Sequence, residues 1–214
     1  MTSSPDPHVW VRAVFHRTVM ENMQREEAHG VLYVQPGQRF VMEVQQPVHQ
    51  ILTFRGDTLI LYYPEDSVAF KVKSSTRFFP LGPRAVAFDD ARLKDLGFVF
   101  LRRRQQGDTL WTDWAHPSEK IRVTVRKVAG RLHRLEFRDE HDQVVMSLVA
   151  REYQDLGQGW VIPRWVKTLQ ALPDGFSEET FRLDSLALTS NVPPWVQHLK
   201  IPEGVRVLLK GWEP

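Results

Sequence analysis

The feature that most constrains this chain is a two-residue alternation of apolar and polar side chains, which begins near residue 29 and continues through most of the sequence. Alternation with a period of two places the apolar side chains on one face of an extended strand, so it predicts β-structure. Proline and glycine interrupt the alternation at short intervals, and these residues end strands and form hairpin turns. The sequence therefore predicts short consecutive strands joined into an antiparallel sheet.

The clearest example lies between residues 29 and 73. Strand-like stretches follow one another there, and the breaks between them fall at Pro36-Gly37, Pro47, Gly56-Asp57 and a turn that begins at Pro64. Such short connections join antiparallel neighbours, so this region is predicted to be a five-stranded meander. The predicted strands are residues 30–35, 39–46, 48–55, 58–63 and 68–73.

The second half of the chain is also predicted to be mostly strand. Residues 88–97 differ, because a capping aspartate, good helix formers and a closing glycine predict a short helix. Pro193-Pro194-Trp195 predicts a short turn or helix, and residues 9–23 fit either a helix or a strand. The further predicted strands are residues 109–114, 120–128, 131–138, 143–153, 159–170, 178–188 and 204–210.

This order of elements predicts a mainly β (α+β) protein built on a single large, highly curved antiparallel sheet with a few short helices. The sequence has no evident linker, so residues 1–214 are predicted to form one domain. A single sheet of about ten strands tends to curl, and its concave face must then be filled. If the helices leave that face unfilled, it becomes an apolar cavity that could take acyl chains.

Composition excludes several classes of function. The formal charge is +2, from 28 basic and 26 acidic residues, which does not point to nucleic acid. The densest basic run, Arg102-Arg103-Arg104, predicts a solvated strand or helix end rather than a phosphate site. The absence of cysteine excludes disulfides, zinc–thiolate sites and cysteine nucleophiles. There is also no apolar run of about 18 residues that could span a membrane.

The short motifs of the chain all have structural interpretations. Arg55-Gly56-Asp57 spells an adhesion tripeptide but fits a hairpin turn, and Glu140-His141-Asp142 fits a solvated loop between two strands. No second histidine or carboxylate lies at ligand spacing near His141. No glycine-rich phosphate loop, HExxH or GxSxG motif is present. We therefore predict no catalytic residues, no metal site and no cofactor.

The front half of the chain carries an ordered series of residues that matches a known family. It reads Gly30 to Gly37, then Arg39-Phe40-Val41-Met42, Pro47, Ile51, Gly56-Asp57-Thr58-Leu59 and Tyr62 or Tyr63. This order resembles the periplasmic lipoprotein carrier family LolA, with its relative LolB and the wider lipoprotein-sorting superfamily. The Pro202-Glu203-Gly204-Val205 segment resembles the C-terminal element of the same family.

The resemblance implies a half-open antiparallel barrel of about eleven strands, with short helices as a lid over an apolar cavity that accepts lipoprotein acyl chains. It also favours a strand from about residue 12 onward. By position it places Tyr33, Phe40 and Met42 in the cavity lining, and alternation adds further candidates. The predicted ligand-binding residues are Tyr33, Phe40, Met42, Ile51, Leu59, Leu61 and Tyr63.

The function implied is non-enzymatic binding and transport of lipoprotein acyl chains or lipids in the bacterial cell envelope. The expected partners are those acyl chains or lipids and membrane donor and acceptor proteins, without nucleic acid. The expected location is the periplasm, with a signal segment assumed to have been removed from this chain. Motion of helices or loops around residues 76–100 is predicted to gate the cavity.

Two other functions remain open at this point. The same scaffold could be an envelope sensor or protein-interaction module, whose cavity is filled by its own side chains and whose exposed edge or apolar patch binds a protein. A lipid hydrolase is the third option, although no nucleophile with an adjacent base is visible in the sequence.

Overall fold

A computed structural model of the chain describes residues 9–35, 39–55, 58–73, 90–157 and 159–211. The predicted turns at Pro36-Gly37 and Gly56-Asp57 lie outside the described residues, as does most of the segment predicted to gate the cavity. All strands of the described residues belong to one curved, open sheet of 14 strands. The mainly β fold class predicted from the alternation is confirmed.

The strands and helices have the following bounds. The first six strands are β1 (Trp10–Glu21), β2 (Gln24–Gln35), β3 (Arg39–Gln46), β4 (Gln50–Arg55), β5 (Thr58–Tyr63) and β6 (Val68–Lys73). After helix α1 (Ala91–Asp95) come β7 (Val99–Gln106), β8 (Thr109–His116), β9 (Ile121–Val128), β10 (Arg131–Arg138) and β11 (Val144–Gly157). The chain continues through β12 (Trp160–Leu172), β13 (Gly175–Thr189), helix α2 (Pro194–Gln197) and β14 (Arg206–Gly211).

Sequence neighbours are also sheet neighbours almost throughout. The order across the sheet is β14-β6-β5-β4-β3-β2-β1-β13-β12-β11-β10-β9-β8-β7. Each of these pairs is antiparallel except β14 with β6, which run parallel, with Arg206 opposite Val68. The single antiparallel sheet that was predicted is confirmed, with this one parallel pair at its edge. A parallel pair needs a long crossover, and the chain between β6 and β14 includes seven other strands.

The stretch that fitted both a helix and a strand is a strand. β1 pairs with β2 through a tight turn at Asn22 and Met23, which have φ angles of 49° and 64°. Two consecutive residues with positive φ give the turn geometry that matches the twist of a hairpin. Asparagine tolerates this conformation without glycine, and no Pro or Gly marks the turn in the sequence.

The sheet has more strands than the barrel of about eleven that the resemblance implied. One strand that alternation missed is β7, whose eight residues are all exposed. A strand that is solvated on both faces has no buried side to impose a two-residue pattern. The Arg102-Arg103-Arg104 run lies in this strand, as its interpretation as a solvated strand or helix end allowed.

Asp113 of β8 links the edge strand β7 to the rest of the sheet through side-chain hydrogen bonds. Arg102 Nε donates to its Oδ2 over 2.5 Å and Thr124 Oγ1 donates to its Oδ1 over 2.9 Å. Burial of the carboxyl group opposes its ionisation, but the hydrogen bonds from Arg102 and Thr124 and the charges of Arg102 and Arg104 outweigh burial. The pKa of Asp113 is consequently held below its usual value.

We expect Asp113→Asn to lower the free energy of unfolding at pH 7 by about 1 to 2 kcal/mol, because charge-assisted hydrogen bonds are lost. A depressed carboxyl pKa contributes stability above the unfolded-state pKa, and this contribution disappears as the pH falls through the folded-state pKa. The difference between wild type and variant should therefore shrink between pH 5 and pH 2 in urea titrations. A difference that is constant over this range would contradict the assignment.

The two faces of the sheet have different coverings. We call inner the face that carries the larger core cluster, which draws on β1–β3 and β8–β13. Helix α1 lies on this face, where Leu93 is 1% exposed and Lys127 Nζ lies 2.9 Å from Asp90 Oδ1. The most deeply buried large side chains of the inner face are Phe15, Leu32, Leu135, Leu148, Ile162 and Leu183.

The opposite face, which we call outer, is covered at β1–β4 by the segment that contains α2. Val192 and Val196 of that segment pack in a second core cluster. The ring of Trp195 meets that of Tyr33 edge to face, with centroids 6.2 Å apart. The residues that the strands contribute to this cluster are Trp10, Val31, Tyr33, Val41 and Ile51.

Candidate functional site

The structure divides the seven predicted ligand-binding residues between the two faces. Phe40 and Met42 belong to the inner cluster. Tyr33 and Ile51 belong to the outer cluster, beneath the α2 segment. The register of the sheet places Leu59, Leu61 and Tyr63 on the inner face, because Leu61 pairs with Leu52 and Leu52 pairs with Met42. Five of the predicted residues therefore share one face, and two do not.

The inner face of β4–β6 is distinct from the rest of that face because its apolar side chains are only half-buried. Leu61 and its cross-strand partner Phe70 belong to this group, and the rings of Tyr63 and Phe70 meet edge to face at 5.9 Å. We call this surface the inner patch. Its members are Leu52, Leu59, Leu61, Tyr63, Val68, Phe70 and Val72.

The inner patch continues directly into the buried core. On β3, the next strand, Phe40 and Met42 are 8% and 5% exposed, and on β2 Leu32 is 1% exposed. Exposure of the inner face thus rises from the centre of the sheet toward the edge that ends in β6 and β14. Half-buried apolar side chains on adjacent strands form a surface that an apolar ligand could cover.

A groove of about 580 Å³ lies at the end of the inner patch, and Tyr63 belongs to both. This volume falls within the range of small-molecule sites. Ala28, Pro47 and Val48 contribute apolar surface, and the rest of the lining is polar or charged. The polar and charged lining residues are Arg17, Arg25, Glu26, Glu27 and Gln50.

The charged side chains at the groove are held by neighbours. Arg17 Nε lies 2.5 Å from Glu179 Oε1, and its guanidinium is 6.0 Å from the centre of the Phe181 ring. Arg25 forms an ion pair with Glu27. The groove therefore combines an apolar side with a charged rim of both signs, an arrangement that suits a ligand with an apolar chain and a polar head.

The described residues offer little for catalysis. They contain no group of three or more His, Asp or Glu side chains placed to hold a metal ion. Ser118 Oγ lies 3.3 Å from His116 Nδ1, but the backbone N–H of Glu119 also donates to that nitrogen over 3.3 Å. This contact is in the exposed turn between β8 and β9, and it is explained by turn formation.

No helix of the described residues has both the length and the apolar character needed to cross a membrane. The sequence matches no protein-family profile and no curated protein. Comparison with solved structures, in contrast, finds similar folds over most of the chain.

Three solved structures share the fold at low sequence identity. A DUF1329 family protein from Desulfovibrio piger gives a TM-score of 0.65 at 10% identity, covering 89% of this chain and 90% of the other. An outer membrane lipoprotein-sorting protein domain from Vibrio parahaemolyticus gives 0.64 at 12% identity, covering 89% of each. A LolA superfamily protein from Nitrosomonas europaea gives 0.57 at 12% identity, covering 88% of this chain and 90% of the other. The chain therefore shares the fold of these three solved structures.

Proposed function

We propose that this protein binds the apolar chains of lipids or lipoproteins on the inner face of its sheet and carries them within the cell envelope without chemical change. The observation that carries the proposal is the inner patch, in which neighbouring strands present half-buried apolar side chains. Solved structures with the same fold include a lipoprotein-sorting domain, which supports the same ligand class.

The energetics suit reversible binding. Each methylene group that leaves water contributes roughly 0.8 kcal/mol. An acyl chain that covers the inner patch would gain this free energy, and no covalent bond would hold it there. The polar head would remain at the charged rim of the groove, where Glu26 and Gln50 lie with the ion-paired Arg17.

Five of the sequence-predicted residues retain a role in this proposal. Leu59, Leu61 and Tyr63 would contact the ligand directly, while Phe40 and Met42 would form the deeper end of the path. Tyr33 and Ile51 would act indirectly, by holding the α2 segment against the outer face. The whole chain would act as one domain, with donor and acceptor proteins at the membranes.

The proposal is tested by titrating the protein with an environment-sensitive apolar dye. We expect saturable binding, displaced by a diacylated lipopeptide and more weakly by a free fatty acid, since two chains bury more methylene groups than one. The near-ultraviolet circular dichroism spectrum controls for folding. Failure of the dye to bind a folded protein would reject the carrier function.

One observation favours a second function, that of a sensor or protein-interaction module. The cluster side chains of the inner face are only 0 to 8% exposed, so much of this face is already filled by the protein itself. On this alternative, the dye would find no saturable site in the folded protein. A protein partner would then have to bind an exposed edge or face.

A further inference from the structure

The outer face of β7–β12 is strongly basic. Side chains alternate along these strands, and Trp114, Val123 and Leu135 lie in the inner cluster. The residues that alternate with them therefore point outward, and most of the charged ones are arginines. We call this surface the arginine face; it consists of Arg102, Arg104, Arg122, Arg126, Arg134, Arg138 and Arg151, with Trp111 and Trp165.

Like charges lie directly opposite each other on this surface. Arg126 pairs with Arg134 across β9 and β10, and Arg122 pairs with Arg138 on the same two strands. Opposed like charges on neighbouring strands destabilise a sheet. Two such arginine pairs on one face lower the stability of the sheet. An anionic partner bound to this face would remove the repulsion, which indicates that the arginines serve binding.

The carboxylates of the surface do not balance its charge. Glu136 lies 2.6 Å from Arg134 and 3.3 Å from Arg138, while Asp113 accepts from Arg102. The third carboxylate, Asp142, is in a turn and lies 3.9 Å from Arg138 and 4.0 Å from Arg122. The seven arginines thus face three carboxylates in this part of the described sheet, which leaves an excess of positive charge.

Two of the arginines pair with aromatic rings instead of acids. The Arg126 guanidinium is 5.8 Å from the centre of the Trp111 ring, and that of Arg151 is 5.4 Å from the centre of the Trp165 ring. Neither forms an ion pair with a carboxylate of the described residues, and Arg126 Nε is buried without a hydrogen-bond acceptor. Burial, followed by the charges of Arg126, Arg151 and Arg134, lowers the pKa of His133. The arginines therefore disfavour the protonated form of the neighbouring His133 imidazole.

An exposed apolar segment adjoins the arginine face. Val99, Phe100 and Leu101 open the edge strand β7 and are 54%, 46% and 55% exposed. Within the described part of the sheet, β7 pairs only with β8. These side chains come immediately before the arginines of β7, where Val99 lies opposite Ala115 and Phe100 opposite Trp114 of β8.

We propose that the arginine face, with the apolar start of β7, docks on the surface of a membrane rich in anionic phospholipids. Clustered arginines attract anionic head groups, tryptophan favours the membrane–water interface, and exposed apolar side chains add contact with the acyl region. A broad sheet face has no protruding helix to enter a nucleic-acid groove. The arginine face is on the opposite side of the sheet from the inner patch, so its docking does not depend on acyl-chain binding.

The test is co-sedimentation with lipid vesicles. We expect the wild-type protein to bind phosphatidylcholine vesicles that contain phosphatidylglycerol and not to bind pure phosphatidylcholine vesicles. Each arginine near an anionic surface strengthens binding by a factor of about five, so Arg126→Gln/Arg151→Gln should weaken the partition coefficient by about 30-fold. Added salt should weaken wild-type binding as well.

The matched control removes two positive charges elsewhere. Lys200→Gln/Arg206→Gln changes two exposed side chains outside the arginine face, and it should bind nearly as well as wild type. Equal losses in both double variants would overturn the proposal, since net charge alone would then explain binding. So would equal binding to neutral and anionic vesicles. If wild type binds polyglutamate but not the anionic vesicles, the partner is an acidic protein and the membrane proposal is wrong.

Discussion

Gly30→Ala is expected to destabilise the protein by about 3 kcal/mol, because the added methyl group has no room. A Cβ atom at this position would lie 1.9 Å from the carbonyl oxygen of Glu43 and 3.0 Å from Cε1 of Phe15. The first contact is with the backbone of β3, which cannot rotate away as a side chain can. Relief would require β2 and β3 to separate where their register already shifts, between His29 and Gly30.

Urea-induced unfolding measures this effect, and Gly107→Ala is its matched control. Gly107 has a φ angle of +54° and no atom within 4 Å of an added Cβ, so its substitution tests backbone strain alone. We expect that control to cost about 1 kcal/mol. If the two variants lose the same free energy of unfolding, the close approach of β3 to Gly30 is not what requires glycine there.

Leu61→Asp is expected to weaken dye and lipopeptide binding by about 100-fold, provided that the inner patch is the ligand surface. A carboxylate in contact with an acyl chain would lose water without gaining a hydrogen-bond donor, which costs several kcal/mol or forces the ligand away. Leu61 is only half-buried, so the variant should still fold. A fully buried residue such as Met42 would not allow this separation.

Leu169→Asp provides the matched comparison for Leu61→Asp. Leu169 is also a half-buried leucine in a strand, but it lies on the outer face of β12 opposite Ser147. We expect this variant to bind the dye and the lipopeptide as wild type does. If both variants bind as wild type does, the ligand does not bind on the inner patch. If both lose the same binding affinity, the substitutions have a general effect on the fold. Near-ultraviolet circular dichroism of each variant separates these outcomes from unfolding.

The strands that the sequence predicted well are those with one buried side or a clear break at each end. Pro47 and the turn that begins at Pro64 separate strands of the predicted meander, and those strands are present as β2–β6. The short helix predicted within residues 88–97 is α1, and the last predicted strand is β14. Proline and glycine act through the local backbone, so their effect does not depend on distant contacts.

Three features that the sequence did not reveal have different physical causes. β7 has no alternation because both of its faces are solvated. The parallel pairing of β14 with β6 brings together Arg206 and Val68, and no local pattern encodes such a partner. The hairpin turn at Asn22 and Met23 lacks the usual glycine, although it has the expected positive φ angles.

By itself, the sequence determined that this chain forms strands, where most of them end, and which side chains share a face of each strand. Only the tertiary structure decided which face became the inner one. Both faces of β2–β5 are apolar, so alternation separates Tyr33 from Phe40 without telling which of them meets α2. The same holds for the arginine face, whose charges are spread along the sequence and meet only through strand pairing. A period of two is set by the local backbone, whereas the covering of each face is set by segments that are far away in the chain.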